Sequence, residues 1–230
     1  MKNIIDMRTK KFGERAEGCQ PELVIIHSTD MPTAPSLEAL VRSPREVSCH
    51  YLIAPDGKVY HMVPEDKRAW HAGKSSWRGK TDVNSLSIGI ELVWPDDREA
   101  HEDEIPGPFW APQMEALVEL LGDIKSRRDI RPENVLAHSD IAPARKRDPG
   151  PRFDWGRLAA EGLALLPTRP LPMPPMGEIT PLLKRFGYDV SDEGAALVAF
   201  QRHYRQRDCS GVSDSETRSL LQWLLKATGR

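Results

Sequence analysis

Four consecutive apolar residues, Leu23-Val24-Ile25-Ile26, interrupt a polar N-terminal stretch and predict a strand buried on both faces. His27 closes the run, at a strand end where a side chain can face a cleft. Ser87-Ile88-Gly89-Ile90-Glu91-Leu92-Val93 predicts a central strand with an acid, Glu91, embedded in it. Val135-Leu136-Ala137-His138 predicts a short strand that again ends in His. Cys49-His50-Tyr51-Leu52-Ile53 and Lys58-Val59-Tyr60-His61-Met62-Val63 flank Ala54-Pro55-Asp56-Gly57, and a Pro-Asp-Gly turn between alternating runs predicts a hairpin.

The apolar period changes to three and four at Met114, Leu117, Val118, Leu121 and Ile124, which predicts a helix over 112–124 with one apolar face. A shorter helix is expected at Leu37, Leu40 and Val41, capped by Ser36 and followed by Pro44. Strands and helices mixed in this order predict an α/β fold, a central mixed β-sheet flanked by helices. Strand order is not legible. A proline-rich tract then predicts a stiff linker over 168–176. Beyond it, Ile179-Leu182-Leu183-Phe186, Ala196-Leu197-Phe200-Tyr204 and Leu220-Leu221-Leu224-Leu225 predict a small three-helix domain at 177–230, with Gly187 ending its first helix and Ser213 capping its third.

A length of 230 residues suits one well-buried domain at 1–167 plus that smaller unit, and 39 % hydrophobic residues exclude a disordered chain. The formal charge of −2 gives no basic field for nucleic acid or an anionic membrane. Cys19, Cys49 and Cys209 are widely spaced and odd in number, so they predict reduced thiols rather than a metal knuckle or a disulfide framework. The N-terminus, Met1-Lys2-Asn3-Ile4-Ile5-Asp6, reads neither as a signal peptide nor as a membrane span. The sequence as given therefore predicts a cytoplasmic protein; periplasm or cell envelope is the alternative if a leader precedes it.

The segment Lys146-Arg147-Asp148-Pro149-Gly150-Pro151 offers an oxygen ligand two residues from a cation and ten residues after His138. Two neutral imidazoles, His27 and His138, and the Asp148 carboxylate make a three-ligand zinc site whose fourth position stays open for water. An open position is what a hydrolase needs. His61 and His101 have no such context.

Five ordered stretches carry a resemblance: Ile25-Ile26-His27-Ser28-Thr29; Val47-Ser48-Cys49-His50-Tyr51-Leu52-Ile53; Trp70-His71-Ala72-Gly73-Lys74-Ser75-Ser76-Trp77; Asn84-Ser85-Leu86-Ser87-Ile88-Gly89-Ile90-Glu91-Leu92; and Ala137-His138-Ser139-Asp140 through Pro151. Together they resemble the type-2 N-acetylmuramoyl-L-alanine amidases, bacterial zinc hydrolases of peptidoglycan and cell-wall turnover that share a fold with phage lysozymes and peptidoglycan recognition proteins. The resemblance implies Zn²⁺ on His27, His138 and Asp148. It implies Glu91 as the base that takes a proton from water and returns it to the leaving amine, and Lys146 as the group that holds the oxyanion. The implied partner is peptidoglycan or a muropeptide, cut between N-acetylmuramic acid (or its anhydro form) and L-alanine. His71, Ala72, Gly73 and Trp77 would wall the peptide site, with Asn84 and His50 beside it; His50 also suits a core role.

Phe186-Gly187-Tyr188, Ala199-Phe200-Gln201 and Gly211-Val212-Ser213-Asp214-Ser215-Glu216-Thr217 resemble a peptidoglycan-binding helical module. Wall binding there competes with a role as a packing appendage that braces the catalytic unit. The competing functional readings are a non-catalytic muropeptide recognition protein and a zinc peptidase that cuts within the stem.

Overall fold

A computed structural model describes residues 4–95, 106–174 and 176–230. His101, Met1-Lys2-Asn3 and Pro175 of the predicted linker lie outside them. In chain order the strands are β1 (Ile4–Asp6), β2 (Phe12–Glu14), β3 (Leu23–Ser28), β4 (Tyr51–Ile53), β5 (Val59–His61), β6 (Lys67–Ala69), β7 (Ser87–Leu92) and β8 (Val135–Ala137). The helices are α1 (Thr33–Leu37), α2 (Val83–Leu86), α3 (Ala111–Arg127), α4 (His138–Ile141), α5 (Trp155–Ala160), α6 (Thr180–Phe186), α7 (Glu193–Tyr204) and α8 (Ser215–Ala227). A π-helical turn, Glu38–Arg42, extends α1.

The main sheet among the described residues runs β1-β5-β4-β7-β3-β8, and β2 pairs with β6 in a small second sheet. The predicted hairpin is β4–β5, the one antiparallel pair of the main sheet, and Gly57 closes its turn at φ 81. Its other pairings are parallel, so it is a mixed sheet. β3 and β7 lie at its centre, and apart from Glu91 their chain from Leu23 to His27 and from Ser87 to Leu92 is almost wholly inaccessible. That is why Leu23 to Ile26 of β3 read as an unbroken apolar run, whereas β7 intersperses Ile88, Ile90 and Leu92 with Ser87, Gly89 and Glu91.

One face of the sheet packs on α3 through Met114, Leu117, Leu120, Leu121 and Ile124, joined by Trp155 and Leu158 of α5. The 3.6-residue period sets this face, Pro112 sits in the first turn where its missing N–H costs nothing, and Lys125 and Arg127 close the last turn. The opposite face, through Leu23, Ile25 and Leu136, shares one core with Leu183, Phe186, Phe200, Leu221 and Leu224 of α6, α7 and α8. No helix among the described residues is long and apolar enough to cross a membrane.

Two helix starts differ from expectation. Ser36 does not cap: α1 begins at Thr33, because Pro35 is tolerated in a first turn, and the buried Ser36 hydroxyl donates to the Met31 carbonyl. Ser213 does not cap α8 either; Asp214 does, its carboxylate accepting the Thr217 N–H at 2.9 Å. Gly187 does end α6, its N–H donating to the Leu183 carbonyl.

Glu65, after the hairpin, is buried and accepts from Arg127, Arg128 and the Tyr51 hydroxyl at 2.8–3.0 Å. Burial alone would raise its carboxyl, but those donors hold it at about 2 against an ordinary 4.5. A depressed carboxyl stabilises the fold fully above pH 4.5 and loses that contribution as pH falls toward 2. Over that window the urea midpoint of the wild type is expected to fall more steeply than that of Glu65→Gln. Parallel midpoint curves would remove Glu65 from the acid response.

Candidate functional site

Register brings the chemistry together. In the parallel pair β3–β7, His27 stands opposite Glu91; in β3–β8, Ile26 stands opposite Ala137, so His138 follows at the same sheet end. Three carboxyl ends of neighbouring parallel strands therefore deliver two imidazoles and an acid to one crevice, the usual place for a ligand in an open α/β sheet. Asp148 arrives on the loop after α4, which folds back as its carbonyl accepts the Ser139 N–H at 3.1 Å.

His27, His138 and Asp148 can hold a metal ion, each offering one ligand atom. Nδ1 of His27 lies 2.9 Å from Nδ1 of His138 and 3.4 Å from Oδ2 of Asp148, and the His138–Asp148 separation is 3.0 Å. The other nitrogens face protein: Nε2 of His27 is 2.9 Å from Nδ1 of His71, and Nε2 of His138 donates to the Ala72 carbonyl at 3.3 Å. Burial, then His138, lowers the His27 imidazole to about 4, so it is neutral at pH 7. Burial pushes the Asp148 carboxyl up, but His138 and His27 outweigh it and hold the group well below its ordinary range. A neutral His27 and an ionised Asp148 are in the protonation states that metal ligands take.

Glu91 and Lys146 line the same cleft, about 550 Å³ in volume, with His71, His138 and Asp148. Burial, then the Asp148 charge, raises the Glu91 carboxyl to about 8, with Lys146 opposing, and its Oε2 is buried without a partner. Such a carboxyl in a cleft marks a candidate for proton transfer.

The expected peptide wall is only partly there. Trp77 is 2 % exposed and packs edge-on against Phe186 and Tyr188, centroids 5.9 and 5.2 Å away, so its ring belongs to the core under α6 rather than to the cleft. Ala72 is fully buried. Asn84 braces: its Oδ1 accepts the N–H of both His71 and Ala72, at 3.1 and 2.9 Å. His50 is also core, its Nδ1 accepting the Gly89 N–H at 3.0 Å while burial holds the ring down to about 3. Gly73 is exposed at φ 56, against the guanidinium of Arg145.

That arginine was missed in the sequence, where the Arg145-Lys146-Arg147 triplet reads as solvated charge. Its guanidinium donates to the carbonyls of Ala72 and Lys74 at 2.8 and 2.9 Å, tying the His71 loop to the His138 loop. Asp140 was missed as well. Fully buried, it accepts the Ala137 N–H, the Tyr188 hydroxyl and Nδ1–H of His203 at 2.8, 2.6 and 2.7 Å, two residues from His138.

A family described as N-acetylmuramoyl-L-alanine amidase matches residues 17–151, a span that contains all of the cleft residues named above. The chain belongs to the N-acetylmuramoyl-L-alanine amidases. The amidase AmiD of Escherichia coli (strain K12) is 36 % identical over 100 % of this chain and 92 % of its own. The 1,6-anhydro-N-acetylmuramyl-L-alanine amidase AmpD of Enterobacter cloacae is 36 % identical over 64 % of this chain and 83 % of its own. Two solved structures are similar over nearly the whole amidase. AmiD from E. coli, in complex with the substrate anhydro-N-acetylmuramic acid-L-Ala-D-gamma-Glu-L-Lys, has a TM-score of 0.78 at 32 % identity, covering 96 % of this chain and 99 % of that one. AmpDh3 from Pseudomonas aeruginosa, in complex with anhydromuramic pentapeptide, has a TM-score of 0.80 at 30 % identity, covering 96 % and 95 %.

Because Trp77 is core in this amidase, Trp77→Ala is expected to lower unfolding free energy by about 3–5 kcal/mol, read from urea midpoints, with little change in substrate KM. A raised KM at unchanged stability would return Trp77 to the cleft wall.

Proposed function

We propose that the chain is a zinc-dependent amidase that cuts the amide between N-acetylmuramic acid, in its anhydro form, and the L-alanine of the stem peptide, in peptidoglycan turnover or recycling. The observation that carries this reading is the convergence of a His/His/Asp group, Glu91 and Lys146 on one cleft. The likeness to two amidases bound to anhydromuramyl peptides supports the substrate class.

The donor set fits zinc. With Nε2 of His138 donating to a carbonyl, its Nδ1 carries a bare lone pair, directed with His27 Nδ1 and an Asp148 oxygen at a common point. With both rings in these neutral tautomers, three lone pairs at 2.9–3.4 Å repel one another unless a proton or a metal ion lies between them. Ligand bonds of about 2.0–2.1 Å in a tetrahedron place ligand atoms about 3.3–3.4 Å apart, close to what is found. When bound there, zinc supplies Lewis-acid polarisation and makes water acidic enough to attack near neutral pH.

The protein's own groups complete the chemistry. Glu91, raised to about 8 by burial and then Asp148, changes protonation near neutral pH, so its ionised form can take a proton from water and its protonated form can hand one to the leaving amine. Lys146 offers its ammonium to the oxygen that gains charge as the carbonyl carbon becomes tetrahedral.

For residues 177–230 the bracing role is the better supported reading. Their helices share a core with β3 and β8, and Tyr188 and His203 hold Asp140 beside His138. Co-sedimentation of the protein with intact sacculi while its cleft is saturated with muropeptide would instead favour wall binding.

Chelation is expected to abolish release of stem peptide from purified anhydro-muropeptide, and added Zn²⁺ to restore it; activity indifferent to chelation rejects the proposal. Glu91→Gln is expected to retain the metal, measured by metal analysis, yet lose about 10²–10⁴-fold in kcat. Turnover near wild type would remove Glu91 from proton transfer.

A further inference from the structure

His71 has no ring nitrogen to offer a substrate, because both are engaged by the protein. Nδ1 is 2.9 Å from Nε2 of His27, and Nε2 is 3.2 Å from the Ser87 hydroxyl oxygen. The direction of every proton in this chain follows from its far end. The Ser87 hydroxyl donates to the Val83 carbonyl at 2.6 Å, and a carbonyl can only accept. With its single proton committed, the Ser87 oxygen must accept, so the His71 proton is on Nε2. His71 Nδ1 is then a bare acceptor and His27 must donate from Nε2. His27 Nδ1 is left bare, and it is the atom that faces His138 and Asp148.

The ring is seated by the backbone as well as by hydrogen bonds. A Cβ added at Gly89 would lie 2.4 Å from the His71 ring, far inside contact distance, so the strand has no side chain where the ring packs. His50 Nδ1 accepts the N–H of that same glycine, and Asn84 holds the His71 backbone N–H. His71 is buried and edge-on to His27, with ring centroids 5.0 Å apart. The ring thus borders the cleft with both of its nitrogens already held by protein.

We propose that His71 is a positioning residue: the relay from the Val83 carbonyl through Ser87 and His71 fixes the tautomer and orientation of His27, so that its Nδ1 lone pair points into the His/His/Asp group. The inference rests on the zinc reading above and specifies how one ligand is prepared for it. Partners that hold the remote nitrogen of a ligating imidazole fix its tautomer and raise its basicity, and losing one typically costs about 10–100-fold in metal affinity.

Zinc affinity, read by competition with a chromophoric chelator in the absence of substrate, tests it. His71→Leu is expected to bind zinc about 10–100-fold more weakly, with the wild-type far-UV spectrum. His71→Asn, whose amide oxygen can stand where Nδ1 stands, is expected to regain much of the loss. Should His71→Leu fail to fold, Ser87→Ala carries the test, since it keeps the ring packed and removes only the acceptor of its Nε2–H. In that variant a weaker affinity and an altered d–d absorption of the Co²⁺-substituted protein are expected. Affinity and cobalt spectrum unchanged in Ser87→Ala and in a folded His71→Leu overturn the inference, as does a His71→Asn no better than His71→Leu. A wild type that binds no zinc overturns the zinc reading with it, whereas tight binding shared by wild type and variants overturns the relay alone.

Discussion

Two imidazole nitrogens and a carboxylate oxygen are held 2.9–3.4 Å apart at the carboxyl ends of β3 and β8. That arrangement is unfavourable unless a proton or a metal ion is shared among the three atoms, since buried acceptors without donors lose water and gain nothing in return. Much of the surrounding structure keeps it from relaxing. His71 and the Ala72 carbonyl hold the outer nitrogens, Asn84 and Arg145 hold the loop that carries both, and the Ser139 N–H holds the loop that carries Asp148. The parallel strands beneath supply the rigidity, because a register slip of one residue would turn His27 and Glu91 to the other face.

The same economy explains the C-terminal helices. β8 is the edge of the sheet, and Leu136 beside Leu23 and Ile25 leaves an apolar face there that α6, α7 and α8 bury. One polar contact lies beside the site, where Asp140 receives a hydroxyl from Tyr188 and an imidazole from His203 and caps the turn that begins with His138. The Arg78 N–H on the Gly187 carbonyl and the Gln206 amide on the Pro151 and Phe153 carbonyls are others. A buried carboxylate with three donors is rigid, and removing one would leave the others with an uncompensated charge. Packing on one face of the sheet and ligand geometry at its end are thus joined within a few residues.

Several elements were legible from the chain because each rests on a short-range rule. The apolar runs gave β3 and β7, Pro-Asp-Gly gave the β4–β5 hairpin, and three-four spacing gave α3. The place of His27 near the end of β3 was legible for the same reason, whereas His138, expected to end a strand, opens α4 one residue past β8. Helix caps were less so: Ser36 and Ser213 are competent capping types, but Pro35 and Asp214 decided where the helices begin. β1 and β2 escaped notice, since three-residue exposed strands leave no periodic signal.

Sequence alone singled out His27, His138, Asp148, Glu91 and Lys146 as candidates, together with the sheet that could carry them, because residue type and local period are properties of the chain. Only the tertiary structure decided what surrounds those groups. It turned Trp77 into core, made His50 and Asn84 braces, converted Arg145 from solvated charge into a clasp between loops, and filled the space above Gly89 with the His71 ring. Those outcomes depend on which atoms meet across separations of tens of residues, and hydrogen-bond direction and burial exist only once the chain has closed around them.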